Sequence, residues 1–565
     1  MKVIVVGGVA AGASAAARLR RLDEKTEIIM FEQGEHVSFS NCGLPYHLGG
    51  TIPNADDLVL MTPRAFKMRH NIEVRVNSRV VSIDRAAKTV TVQPKEGPEY
   101  TESYDKLILA PGAAPIVPGS IPGVRSPHVF TLRNVTDVKA IKSYIDEQGV
   151  TRAAVVGGGF IGVEVAENLA AAGLLVTLVE GADQVLAPFD YDMAQLLHKE
   201  LMDNGVQVEL NSLLTAVHPD GITVTRDGEA FDLPAQMVVL AIGVSPETAL
   251  AKDAGLAIGE TRGIKVDTNW RTEDEDVYAV GDAVESFDRL ARRPGRLALA
   301  GPAQRQARAA ADHICGRPAD TRGFIGSACV RVFDLNAAAT GLSEKAARKA
   351  GIPCDSVLLY SSDKVGLMPD AAWMAFKLVF ETPTGRVLGA QAIGRGDTVR
   401  RVDVIATLIS MNGTLADLKE LELCYSPVYG TAKDVVNQAA LVALNVLEGR
   451  VKQVPVSAVR GLVEQGAYII DVREEREYAA GHLKGAVNIP LSRFRERMNE
   501  VPKDVPVYLH CRSSQRSYYA LCELLGNGYT NAYNISGSFL GICLYEYFND
   551  RTLGREPIVT AYNFN

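Results

Sequence analysis

The sequence predicts an α/β protein of four parts: two Rossmann-like units, an α+β domain and a smaller C-terminal α/β domain. Three observations predict it. Glycine-rich turns at 7–12 and 157–162 each follow a short apolar strand and open a helical stretch. Short β-branched runs alternate with Ala- and Leu-rich helical stretches, as sheets with crossover helices require. Finally, Gly449-Arg450-Val451-Lys452-Gln453-Val454-Pro455 reads as a short linker ahead of a separate unit of about 110 residues.

The first unit begins with Lys2-Val3-Ile4-Val5-Val6, an apolar strand. Gly7-Gly8-Val9-Ala10-Ala11-Gly12 turns it into an Ala-rich helix at 14–22, and 27–32 is the next strand. In such a βαβ unit the helix N-terminus faces a pyrophosphate, and an acidic residue about twenty positions on accepts hydrogen bonds from an adenosine ribose. Glu32 holds that position, while Val9 stands where the full G-x-G-x-x-G pattern has its second glycine. Val277-Tyr278-Ala279-Val280-Gly281-Asp282-Ala283 resembles the second FAD fingerprint of flavoproteins with two dinucleotide domains, whose aspartate, here Asp282, binds the flavin ribityl chain. The stretches 104–112, ending in Gly112, and 238–243, ending in Gly243, look like the two crossover strands of those proteins.

The second unit starts at Ala153-Ala154-Val155-Val156 and carries the complete fingerprint, with Gly157, Gly159 and Gly162, a helix to about 173 and a strand at 175–180. These glycines serve a tight turn, close approach to a pyrophosphate and close helix packing. Glu180 ends the strand and is followed by Gly181 and Ala182. A carboxylate there accepts from a free ribose 2′-hydroxyl and repels a 2′-phosphate, so NADH is expected over NADPH. The cofactor-binding residues expected are therefore Gly7, Gly8, Ala11, Gly12, Glu32, Asn41, Gly112, Gly281 and Asp282, with Gly157, Gly159, Gly162, Glu180 and Gly243.

The order of parts is a first dinucleotide domain at 1–114 and 243–320, an inserted second one at 115–242, a third domain at 321–449 and a last one at 455–565. The third has strands at 329–333, 375–380 and 387–393, then Leu- and Ala-rich helices, and no dinucleotide fingerprint. In the last, strands at 467–472, 487–489 and 505–510 lead into Cys511-Arg512-Ser513-Ser514-Gln515-Arg516-Ser517 and an apolar helix. A cysteine after a buried strand, with a short polar loop entering a helix, suits an anionic sulfur, because loop amides and the helix N-terminus point at it and Arg516 adds charge. A thiolate, a persulfide or a thiosulfate-like anion would all be stabilised.

The 565 residues are 47% hydrophobic and 22% charged, ordinary for a soluble globular chain, and the net charge of −8 argues against nucleic acid or an anionic membrane as partner. No run reaches the length of a membrane span, and no secretory signal precedes the first strand. Eight cysteines scattered without pair spacing suit a reducing, cytoplasmic setting and offer no zinc or iron–sulfur ligand pattern, so no metal is expected.

One cysteine is singled out. Val37-Ser38-Phe39-Ser40-Asn41-Cys42-Gly43-Leu44-Pro45-Tyr46 follows the first βαβ unit, which places Cys42 near whatever that unit binds. The Cys-x-x-x-x-Cys pair of dithiol flavin reductases is absent, since His47 stands five residues on. Cys42 must work with a partner other than a neighbouring thiol.

On these motifs, on the Tyr-Pro segment Cys424-Tyr425-Ser426-Pro427-Val428-Tyr429-Gly430, and on Asp471-Val472-Arg473, 481–490 and the 511–517 loop, the whole chain resembles a known fusion. That fusion joins a coenzyme A-disulfide reductase of the pyridine nucleotide-disulfide oxidoreductase superfamily to a C-terminal rhodanese domain. The resemblance implies FAD, NADH and coenzyme A as cofactors, with 321–449 as an α+β dimerisation domain of a homodimer. It implies a mixed disulfide or persulfide on Cys42 and sulfane sulfur carried on Cys511. Ser14, Arg18, Arg21, Ser38, Asn41 and His70 fall where the family contacts coenzyme A, and Tyr425, Tyr429 and Lys433 fall in the segment supplied by the partner subunit. Arg18 and Arg21, three residues apart on one helix face, suit a phosphate clamp. One segment departs: Leu367-Met368-Pro369-Asp370 stands where reductases of this family carry Tyr-Tyr-Pro-Gly. Without those phenols to protonate a leaving thiolate, a per- or polysulfide, with its better leaving group, suits the site more than coenzyme A disulfide.

The expected activity is NADH-dependent reduction of a persulfide, polysulfide or coenzyme A disulfide through FAD and Cys42. Two rivals stand beside it. An NADH peroxidase or oxidase would cycle Cys42 through sulfenic acid, but its relatives place a histidine just after the first glycine turn, where this chain has Val9-Ala10-Ala11. A redox-sensing sulfur-relay module would use the flavin part for regulation and the last domain for docking a partner.

Overall fold

The computed structural model describes residues 1–319 and 321–564; the expected boundary at 320 and the chain end at 565 lie outside the described residues. Two compact units make up the fold, 1–183 with 209–324, and 184–208 with 325–565.

In the first unit a parallel sheet runs Val277–Ala279, Lys106–Leu109, Lys2–Val6, Glu27–Phe31, Glu73–Arg75. Val3, Ile4 and Val5 are fully buried, as the β-branched run requires of a strand covered on both faces. Each such side chain contributes about 1.5–3 kcal/mol. The strand order reverses between Lys2–Val6 and Lys106–Leu109, and a crevice opens beyond their C-terminal ends. The helix after the first turn, Ala10–Leu22, starts earlier than its composition suggests, because Ala13 N–H already donates to the Val9 carbonyl at 3.0 Å.

The same plan recurs within that unit. Arg152–Val156 pairs in parallel with Leu175–Val179 on one side and Met237–Leu240 on the other, and Val129–Thr131 extends the latter. Two three-stranded antiparallel sheets are additional to the predicted strands: Ser78–Asp84 with Thr89–Pro94 and Tyr100–Ser103, and Leu213–His218 with Gly221–Arg226 and Glu229–Pro234. Alternating burial along Ser78–Asp84 is the period-two mark of a half-covered strand.

The second unit holds a five-stranded antiparallel sheet ordered Ser327–Val332, Leu335–Gly341, Val387–Gly394, Trp373–Glu381, Cys354–Ser362, with helices Val399–Ser410 and Val435–Leu447. Lys377 is buried in it, its ammonium 2.9 Å from Asp192, 3.0 Å from Glu344 and 3.3 Å from Asp190. Those contacts tie residues 184–208 to this sheet. The C-terminal sheet is parallel and ordered Gln453–Val454, Ala532–Ile535, Val507–His510, Tyr468–Asp471, Val487–Asn488. The 449–455 stretch is therefore more than a linker: Gln453–Val454 forms an edge strand, and Val451 is buried in the same core. Helix Tyr191–Asp203 meets helix Ser538–Thr552, with Asn549 Nδ2 donating to the Tyr191 hydroxyl at 2.9 Å.

Candidate active site

Two internal crowding patterns explain the first glycine turn. A side chain at Gly7 would bring its Cβ 2.1 Å from the Ala110 carbonyl oxygen, across the point where the strand order reverses, and one at Gly12 would meet the Gly7 carbonyl at 1.8 Å. The second turn repeats this almost contact for contact: Gly157 faces the Ala241 carbonyl at 2.3 Å and Gly162 faces the Gly157 carbonyl at 1.8 Å. Gly159 is different. Its φ is −75° and nothing lies within 4 Å of an added Cβ, so neither backbone nor packing asks for glycine. Close approach of a pyrophosphate is the remaining reason.

Each acidic residue is anchored by the backbone around its turn. Gly8 and Gly34 N–H donate to the two oxygens of Glu32 at 2.8 Å each, and Gly158 and Ala182 N–H donate to those of Glu180 at 2.5 and 2.8 Å. A deep cleft along the first turn is lined by Gly7, Gly8, Ala11, Glu32, Asn41, Gly112, Gly281 and Asp282. Gly12 packs behind that turn, and Gly243 lies at the crossover, where its carbonyl accepts from Ile116 N–H at 3.0 Å. His36, Arg79 and Arg133 also line the cleft; His36 and Arg133 sit in connections and Arg79 in strand Ser78–Asp84, none of them in a motif. The groups fit FAD in the cleft: a turn that opens with two glycines, the carboxylate of Glu32 and that of Asp282.

Cys42 is positioned from both sides. Ser38, in the left-handed region at φ 50°, donates its N–H to the Gly8 carbonyl at 2.8 Å, which holds the segment to the glycine turn. A 3-10 turn, Asn41–Gly43, runs into helix Leu44–Leu48 with Pro45 in its first turn. That helix packs on Phe160–Ala171 of the second dinucleotide unit: a Cβ at Gly49 would lie 2.2 Å from Asn168 Oδ1, and the Tyr46 hydroxyl donates to Glu164 at 3.2 Å. Cys42 thus stands where the two dinucleotide units meet. It is exposed, yet partial desolvation of the thiol, with the negative fields of Glu164 and Asp282, pushes it above its ordinary value. Burial likewise pushes the carboxyls of Glu164 and Asp282 up. His47 is buried against the Ile52 carbonyl at 2.7 Å.

Ser14 is half-buried on the first helix and Arg21 is exposed at its last turn. Arg18 is already committed: its guanidinium lies 2.6 and 2.7 Å from Asp312, so of the expected clamp only Arg21 stands open. His70 is half-buried, and its carbonyl accepts from Arg20 at 2.8 Å. In the second unit Tyr425, Tyr429 and Lys433 are exposed, as is Leu367.

The Cys511 site is built of hydroxyls and locked ion pairs. Cys511 ends strand Val507–His510 and is 1% exposed; Ser514, at φ 74°, caps helix Gln515–Gly526. The hydrogen bonds that reach the sulfur come from Ser517 Oγ at 3.6 Å and Ser538 Oγ at 4.0 Å. Arg516 is paired in bidentate fashion with Glu477, at 2.6 and 2.7 Å, which holds that carboxylate below its usual range. Arg512 donates to the Asn563 carbonyl at 2.8 Å. Beneath the loop Arg473 is fully enclosed, bridged to Asp471 and stacked on Phe539 at 3.9 Å. Sequence reading missed Ser538 and Glu477, since only the fold brings them to the loop.

Three family profiles match the chain. Pyridine nucleotide-disulphide oxidoreductase covers residues 1–307, the dimerisation domain of that family 327–435, and the rhodanese-like domain 456–544. The coenzyme A disulfide reductase of Staphylococcus haemolyticus is 34% identical over 440 residues, 77% of this chain and 98% of the relative. Among solved structures, reduced CoADR-RHD of Bacillus anthracis is 43% identical with a TM-score of 0.93, covering 97% of this chain and 98% of that one. The NAD-dependent persulfide reductase from A. fulgidus is 34% identical with a TM-score of 0.90, covering 95% and 99%.

Proposed function

The chain belongs to the pyridine nucleotide-disulphide oxidoreductase family, and from that premise we propose that it is an NADH-dependent reductase of sulfur–sulfur bonds, with persulfides or polysulfides as preferred substrates and Cys511 as a carrier of sulfane sulfur. The observation that carries the reading is the lone Cys42 at the meeting of two dinucleotide units. With His47 where a second thiol would stand, the sulfur it exchanges with must arrive on the substrate.

FAD and NAD(H) are the cofactors the family supports, and bound FAD would relay two electrons from nicotinamide to sulfur. The chain's own residues do the rest. Gly7, Gly8, Ala11, Gly112, Gly281 and Asp282 would hold FAD; Gly157, Gly159, Gly162 and Glu180 would hold NADH. Cys42 thiolate attacks the outer sulfur of R–S–SH, the S–S bond breaks, and its electron pair leaves with RS⁻. Two electrons then break the S–S bond of Cys42–S–SH, releasing hydrosulfide and restoring the thiolate, and the proton left over from NADH goes to the departed RS⁻. Glu180, its carboxylate held by two backbone donors, supports NADH over NADPH.

Coenzyme A, as substrate or retained partner, would lie along Ser14, Arg21, Ser38, Asn41 and His70, with Tyr425, Tyr429 and Lys433 supplied across a homodimer. The dimerisation-domain match and the exposure of those three residues support this arrangement. Leu367 and Met368 favour persulfide over coenzyme A disulfide, for want of a phenolic proton. Eight free cysteines fit the cytoplasm, and among the described residues no helix is long and apolar enough to cross a membrane.

Steady-state NADH oxidation with a low-molecular-weight persulfide, with peroxide and with NADPH in place of NADH tests the reading. Turnover is expected with persulfide and NADH; turnover with peroxide alone would establish the sulfenic-acid rival instead.

A further inference from the structure

The sulfur of Cys511 is reached by hydroxyls from two parts of the chain, Ser517 in the helix that the loop enters and Ser538 at the start of the distant Ser538–Thr552 helix. We propose that Ser538 is a positioning residue for sulfur transfer at Cys511, fixing the loop through its backbone and turning its proton to the sulfur when that sulfur is charged. The inference rests on the reading that Cys511 carries sulfane sulfur.

Backbone geometry gives the first reason. Ser538 is fully buried at φ 50°, directly after Gly537 at φ 81°. A side chain in the left-handed region costs stability that glycine would not, and such strain persists where the surroundings hold it, often at functional sites. The hydroxyl's partners give the second. Ser538 Oγ accepts from Cys511 N–H at 3.1 Å and lies 3.1 Å from the Ser514 hydroxyl, whose one proton can go to it or to the Ile535 carbonyl at 3.2 Å; that carbonyl is 3.5 Å from Ser538 Oγ, and Cys511 Sγ is 4.0 Å away. A hydroxyl has two lone pairs and one proton. Cys511 N–H holds one lone pair, and when the Ser514 proton takes the Ile535 carbonyl or Ser538 itself, the proton of Ser538 is left to choose between that carbonyl and the sulfur.

Ser517 faces the same choice, between the Ser514 carbonyl at 3.1 Å and Sγ at 3.6 Å. A neutral thiol leaves both protons on the carbonyls. A thiolate draws them, because hydrogen bonds to a charged acceptor are shorter and stronger. Charge appears on this sulfur twice in a transfer. Cys511 thiolate attacks the outer sulfur of R–S–SH, the S–S bond breaks with its electron pair leaving on RS⁻, and Cys511–S–SH remains; when an acceptor thiolate takes the outer sulfur, the pair returns to Cys511.

The test is iodoacetamide alkylation of Cys511 against pH in the full-length holoenzyme, read by peptide mass, for wild type and Ser538→Gly. Glycine suits the left-handed backbone, so the variant loses the hydroxyl without losing the fold. The alkylation profile is expected to move to higher pH, and sulfane transfer from a persulfide to cyanide to fall about tenfold. Ser514→Ala, which removes the donor to Ser538, is expected to move the profile the same way by less. An unmoved profile in Ser538→Gly overturns the proposal, whether or not transfer slows, since slower transfer alone is what a merely structural residue would give. Alkylation needs no sulfur donor, so the outcome stands apart from whether the enzyme reduces persulfides.

Discussion

Cys42 is exposed in a three-residue turn and feels the carboxylates of Glu164 and Asp282, whereas Cys511 is buried behind a strand and receives two serine hydroxyls. The chain alone discourages charge on the first sulfur and points two hydroxyls at the second. The difference teaches how the two can divide a reaction. On the proposed function, Cys42 would gain reactivity from what fills the neighbouring cleft, which would couple its chemistry to cofactor and substrate. The Cys511 hydroxyls come from the chain itself, so on the proposed function the second sulfur would keep its surroundings while it waits for an acceptor.

Removing each sulfur in turn tests that division most severely. Cys42→Ser is expected to lower NADH-dependent persulfide reduction, and Cys511→Ser to lower sulfane transfer to cyanide, each by about 1,000-fold or more, the scale of losing a covalent nucleophile. If Cys42→Ser reduces persulfide at the ordinary rate, the first sulfur is not the reducing centre and the contrast has no functional content. A smaller effect probes the field itself. Glu164→Gln removes the stronger of the two negative fields on Cys42 while leaving an oxygen to accept from the Tyr46 hydroxyl. Alkylation of Cys42 is then expected to shift to lower pH, with labelling near neutrality faster by about threefold. An unchanged profile would mean that the charge of Glu164 does not govern this thiol, leaving desolvation and Asp282.

What was legible in the sequence was local. The glycine turns declare themselves because Gly7, Gly12, Gly157 and Gly162 each answer a carbonyl a few residues away or at the end of a neighbouring strand, as Gly12 answers Gly7 and Gly162 answers Gly157. Glu32 and Glu180 each follow the second strand of their own βαβ unit, and Cys42 and Cys511 each stand in a motif of consecutive residues. The rest depended on partners far apart in the chain. Arg18 looks like an open clamp until Asp312 arrives from a later helix, and Arg516 looks free until Glu477 engages it. Ser538 could not be seen at all, since nothing in Ser536-Gly537-Ser538 says that the turn lands on Cys511. Gln453–Val454 is two residues long, below the length at which a period can be read, and Lys377 binds 184–208 to a sheet that no pattern in that segment announces.

The contrast extends to acid, with opposite signs. His198 is fully buried and neutral, its Nε2 accepting from Val185 N–H at 3.1 Å, and burial lowers it from 6.5 to about 3. The unfolded chain takes up that proton below about pH 6.5 and the folded one only near 3, so the stability His198 lends is whole above 6.5 and drains away as the pH falls between those values. His510, lowered by burial next to Cys511, acts in the same direction. So do Asp190 and Glu344, which Lys377 holds below their usual range against the pull of burial, while buried Asp192 opposes them. In the Cys42 cleft the sign reverses: burial raises Glu164 and Asp282, so each is better accommodated as acid protonates it. Hydrogen exchange read by mass spectrometry at stepped pH should therefore show 184–208 and the C-terminal domain opening below pH 6.5 while the segments around Cys42 stay protected. His198→Gln should flatten that response by removing its largest titrating group. Earlier opening around Cys42 would mean that the carboxylates there are stabilised as anions in the fold, and the electrostatic distinction between the two sulfurs would be lost.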